Sequence, residues 1–173
     1  MRWREAVSLL TGVAMVALAT AAMGAPRVGG PETVSADDSE VRHYLLTMDK
    51  SQRTATALQA INQLVAANPS LNAAMDASSG TTGKKPITQQ AHDIDTPYPQ
   101  VAAIIHQNGL ATREFIVIMG ALINDLGWVS MKKQGMVKSY PPGMITPENA
   151  ALIEGNWPAF QAIMAKMTPP STR

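Results

Sequence analysis

Apolar positions along this chain are continuous near the N-terminus and periodic after it. Ala6 to Met23 is an Ala/Val/Leu-rich run broken only by Ser8, Thr11, Gly12 and Thr20. Arg2 and Arg4 precede it, and Ala22 and Gly24 set small residues where signal peptidase needs them, predicting a signal peptide over 1–24 with cleavage before Ala25. Ala19 and Ala21 offer an earlier site. The alternative is an uncleaved N-terminal membrane anchor, since about 18 residues just span a hydrocarbon core. The high alanine content and the small-residue ending favour cleavage. Trp3, between the two arginines, argues against a twin-arginine signal. Residues 25–37 carry two Pro, two Gly and alternating charge, and read as a flexible linker.

From residue 38 onward the spacing is helical. Val41, Tyr44, Leu45 and Met48 form a short stripe that fits a helix or a brief extended entry. Ala57, Leu58, Ile61, Leu64 and Val65 form a longer one, stopped at Asn68-Pro69. Ser70 is placed to cap a short helix through Leu71, Ala74 and Met75. Residues 78–95 show no core pattern and are expected to be a long exposed loop. Thr96-Pro97 then reads as a helix start, with Val101, Ile104, Ile105 and Leu110 buried and Gly109 as a left-handed cap.

The central prediction is a helix from Thr112 to Lys133. Its stretch Phe115 to Ile123 is apolar almost all round, as expected of a helix surrounded by others. The same stretch is rich in strand-forming residues, but the pattern continues through Leu126, Trp128 and Val129, which favours the helix. Asn124 and Asp125 break it well short of a membrane span. After a loop with Gly135 and Pro141-Pro142-Gly143, Thr146-Pro147-Glu148 opens the last helical stretch. It is either kinked near Asn156 or split into two helices in line, and it ends at Pro169-Pro170. The expected fold is all-α: a compact bundle of four to five helices forming a single domain over 38–173.

Composition narrows the chemistry. The 173 residues include no cysteine, which excludes disulfides, thiolate nucleophiles and Cys-held metal or haem. The formal charge is +1. Removing residues 1–24 leaves 12 basic and 12 acidic side chains, too even a balance for a nucleic-acid binder. Aromatics are 5% of the chain, too few for a base-stacking platform. The single Asn-x-Ser triplet, at Asn68, is blocked by Pro69, consistent with a bacterial periplasmic or secreted protein.

Histidine numbers three, and none is placed on a predicted core face, which disfavours a His-held haem. His92, Asp93 and Asp95 are the densest set of hard ligands and could gather a divalent cation if their loop folds back. Met131, Met136 and Met144 flank the second loop and could supply thioethers to a soft metal, although core filling explains most methionines. Ser79 to Lys85 fails as a phosphate loop because Ser78 replaces the first Gly, Lys85 the Ser/Thr, and Pro86 forbids the following helix. Glu114 and Asp125 project from one side of the central helix, toward apolar positions. Either a raised pKa or a partner such as Arg113 or a lysine is required there. Tyr98, Trp128 and Tyr140, with Lys132 and Lys133, are the candidate binding surface.

The residues therefore predict an exported, non-catalytic helical protein. It would bind an unidentified protein or a small hydrophobic ligand, with no nucleic-acid partner and no stable membrane span once the signal is removed. The alternative is an exported metal- or cofactor-binding protein using the methionines and loop ligands. No pattern names a cofactor, and no nucleophile–base pair suggests an enzyme.

Overall fold

The computed structural model describes residues 35–79 and 85–168, without the side chains of Ser78 and Ser79. The signal peptide, its cleavage site, most of the linker and Pro169-Pro170 lie outside the described residues. Within them the chain is all-α and contains no strand. Eight helices follow in order: α1 Ala36–His43, α2 Met48–Ala66, α3 Pro69–Ser79, α4 Ile87–Asp95, α5 Pro99–Gln107, α6 Thr112–Lys133, α7 Pro147–Gly155 and α8 Trp157–Met167. Four to five were expected. The extra ones are short helices whose apolar pattern is only two turns long.

α6 has the predicted bounds and is the inner helix. Phe115, Val117, Ile118, Ala121, Leu122 and Val129 are almost wholly buried, and α1, α2, α4, α5 and α7 all pack on it. By length and composition it could also cross a membrane, but here its apolar surface is covered by protein. α2 lies along α8 and also touches α3, α5 and α6. One continuous apolar cluster runs from Leu46 to Ile163.

Where the fold departs from expectation, hydrogen bonding gives the reason. The second half of the expected loop 78–95 is α4, with Ile87, Ala91 and Ile94 on its buried side. Asp37 Oδ2 accepts from the Ile87 amide at 3.0 Å, satisfying a free donor at the start of α4. Asp37 itself belongs to α1, which begins at Ala36, capped by Ser35, inside the expected linker. α5 starts two residues after Pro97. The amides of Thr96 and Tyr98 donate to His92 and Ile94 carbonyls, so the chain finishes α4 before Pro99 opens α5. Gly109 has φ +72, and the Leu110 amide reaches back to Ile105, the expected left-handed cap.

α1 ends at His43, and Tyr44 and Thr47 have extended dihedrals on either side of the connector to α2. Leu45 therefore points outward at 58% exposure, and Leu46 is buried in its place. Thr146 Oγ1 caps α7 as expected, accepting from the Asn149 amide. α7 and α8 are separate helices broken at Asn156, since Pro158 has no amide to continue the ladder.

Candidate functional site

The proposed hard-ligand set lies on a helix rather than a folded-back loop. His92 is exposed on α4. Asp93 accepts from Lys85 Nζ at 2.7 Å and Gln89 Nε2 at 2.8 Å; the Lys85 bond, more than the Gln89 one, holds its carboxyl below the usual range. Asp95 Oδ1 instead accepts a hydrogen bond from the hydroxyl of Thr112, on the first turn of α6. Among the described residues no three His, Asp or Glu side chains gather as a metal site. Of the methionines, Met131 is half-buried, Met136 is 54% exposed and Met144 lies 4.0 Å by its sulfur from Arg42 Nη1. His43 and His106 are exposed, like His92.

Two hydroxyl–imidazole contacts join residues four apart, Ser39 with His43 and Thr96 with His92, and the fold adds one between helices. His106 Nε2, on α5, lies 3.3 Å from Thr112 Oγ1. Chemically it is a junction rather than a nucleophile and base. Thr112 is 2% exposed, and its proton is committed to Asp95, so the hydroxyl can neither reach a substrate nor pass its proton to the imidazole. The contact ties α4, α5 and α6 together.

Two clusters remain, at the middle and the end of α6. At the end, Lys132 and Lys133 occupy the last turn, where cations complement the helix dipole. Gly135, at φ +73, reverses the chain, and the following loop brings Tyr140 back against α7. Glu154 Oε1 accepts from both Lys132 Nζ, at 2.8 Å, and the Tyr140 hydroxyl, at 2.5 Å. Lys132 stands 4.6 Å from the Tyr140 ring centre and Lys133 5.2 Å from that of Trp157. The Lys132 bond, and after it Tyr140, holds the Glu154 carboxyl low, while burial and then Glu154 push the Tyr140 phenol up. Trp128, half-buried, is one turn before Lys132. So Tyr140, Lys132 and Lys133 come together as one face, joined by Glu154 and Trp157. Tyr98 does not join them: its hydroxyl donates to Ala74 of α3.

At the middle of α6, Asp125 is 1% exposed. Asn149 Nδ2, from α7, donates to its Oδ2 at 2.7 Å and to the Tyr44 carbonyl at 2.8 Å. Asn149 Oδ1 accepts from the Leu46 amide at 2.9 Å. Asn124 Nδ2 bridges Asp125 Oδ1 and the Met144 carbonyl. Every hydrogen on the two amide nitrogens is used, and no cation pairs with Asp125 among the described residues. Burial therefore pushes the carboxyl up to about 6, against the lowering pull of the two amides. The expected basic partner for this residue is replaced by neutral amides. Arg113 instead grips Glu40 of α1 with both terminal nitrogens. Glu114 does have a lysine, Lys50 of α2, at 2.6 Å.

No family model matches this chain, and no curated protein or solved structure matches it either.

Proposed function

We propose that this chain is an exported, non-catalytic helical protein that binds a protein partner through the face at the C-terminal end of α6. The observation that carries the reading is the packing of Lys132, Lys133, Tyr140 and Trp157 around Glu154, beside the exposed Met136. Aromatic rings and methionine, held rigid by neighbours and half-open to solvent, are the side chains from which interface anchors are made. The face's two lysines outnumber its one carboxylate, so the complementary surface is acidic with apolar anchors. An enclosed hydrophobic ligand is the weaker reading. The groove between α2 and α8, lined by Gln52, Thr56, Ala159, Ala162, Ile163 and Lys166, is open and of about 260 Å³, small for a site that must surround a ligand.

The test is native mass spectrometry of the full chain purified from the organism that makes it, as wild type and as Lys133→Glu/Trp157→Ala. A stoichiometric protein complex that weakens at least about tenfold in the double variant is expected. A bare chain, a complex indifferent to the two changes, or an added metal or small-molecule mass would overturn the reading.

A further inference from the structure

The polar node in the middle of α6 joins four pieces of chain, each of which also buries a residue in the apolar core. Asp125 and Asn124 belong to α6 and Asn149 to α7. Tyr44 and Leu46 belong to the α1–α2 connector, and Met144 ends the loop that carries Tyr140. Both carboxyl oxygens are held by neutral N–H groups alone. We propose that this node is a proton-operated latch, clamping the α1–α2 connector and the 134–146 loop onto α6 more firmly in acid than at neutrality. The latch does not depend on the partner proposed above.

Its physical basis is the cost of a lone anion out of water. A buried carboxylate with no counter-cation regains its hydration only when the surrounding contacts open. The ionisable groups on the elements packed against α6 do not relieve it. On α1, Glu40 is paired with Arg113, and Arg42 reaches the Met144 sulfur rather than the carboxyl. Lys50 of α2 is spent on Glu114, eleven residues or roughly 16 Å along the helix. On α4 and α5, Asp93 is paired with Lys85, while Asp95 and His106 meet at Thr112 and His92 at Thr96. On α7, Glu154 is held by Lys132, and Glu148 is exposed. Proton gain at Asp125 itself is thus the available way to discharge the closed node.

With the carboxyl at about 6 when closed and at its ordinary value near 3.8 when open, linkage fixes the sign. The closed form binds the proton more tightly, so opening becomes easier as pH rises, by about tenfold per pH unit between pH 4 and 6, and levels off above that.

The experiment uses the full chain. The carboxyl carbon of Asp125 is titrated by NMR, and amide hydrogen exchange is followed from pH 4 to 7, corrected for the intrinsic rate. A midpoint near 6 is expected, with protection of the Leu46 amide falling about a hundredfold and staying below that of the α2 core throughout, as a local opening requires. An Asp125 midpoint at or below about 4, flat protection at Leu46, or Leu46 protection equal to that of the α2 core at every pH would overturn the latch. Asp125→Asn should abolish the pH dependence, and its persistence there would assign it to another group and overturn the latch. If that variant does not fold, the wild-type titration and exchange still decide.

Discussion

Glu114 and Asp125 lie on one line of α6, yet their surroundings push their protons in opposite directions. Glu114 is near the helix's solvent end, with Lys50 at 2.6 Å and the Tyr44 hydroxyl at 3.3 Å. The lysine, ahead of every other cause, holds its carboxyl below the usual range. Asp125 is sealed between α6 and α7 with only amides for company, and burial lifts it to about 6. A salt bridge at a half-open site is worth little because water competes for both ions. A solitary charge in the core is worth much, in either sign, because nothing competes for it. Same helix, same side, opposite chemistry: what decides is the neighbouring helix.

The hardest blow to that contrast is Asn149→Ala. It strips Asp125 of one donor and leaves the Leu46 amide and Tyr44 carbonyl unpaired, so a loss of about 3–5 kcal/mol is expected in urea unfolding. A loss under about 1 kcal/mol would mean that the node carries little of the fold's stability.

Next in size is the pH profile. Because Asp125 titrates higher in the fold than in the unfolded chain, its contribution is fully present below about pH 4. It is lost as pH rises through about 6. The gap between the ordinary 3.8 and about 6 corresponds to roughly 3 kcal/mol, to be read as the wild-type minus Asp125→Asn difference in unfolding free energy between pH 4 and 7. Glu114 runs the other way: its contribution is present above the ordinary carboxylate range and fades as pH falls through its lowered value. Wild type minus Glu114→Gln should therefore slope oppositely, and by less.

A third case sharpens the comparison. Thr54 is fully buried on α2, and its hydroxyl has no hydrogen-bond partner among the described residues. Thr54→Val keeps the shape and removes the orphan, so a gain of about 1 kcal/mol is expected in the same unfolding assay. The smallest effect belongs to Lys50→Ala, about 0.5 kcal/mol or less at moderate salt, since both side chains of that pair are about a third exposed or more.

How much of this could be read in the residues follows from range. α6 is legible to its bounds because its apolar pattern is long and self-sufficient. Gly109 and Thr146 are legible because caps are local chemistry. α4 is not: only Ile87, Ala91 and Ile94 mark its buried side, and Gln90 is buried among them through its bond to the Lys85 carbonyl. Asp125 stands out as a carboxylate facing the core, but its partner cannot be found from the sequence. Asn149 is 24 positions away across a loop, and nothing near it in sequence marks an asparagine that will end up 1% exposed. The face around Glu154 is half legible for the same reason. Lys132 and Lys133 are neighbours in sequence, whereas Glu154 and Trp157 join them only through the loop reversal at Gly135.

α1 contains no buried residue. It rests on the bare edge of Gly120, where an added Cβ would come 2.9 Å from Val41, and otherwise on rim contacts such as Glu40 with Arg113. A rise in ionic strength would weaken the Glu40–Arg113 part of this contact and leave the packing of Val41 in place. Were α1 to unwind, its eight residues would go from about 12 Å of helix to nearly 30 Å of extended chain.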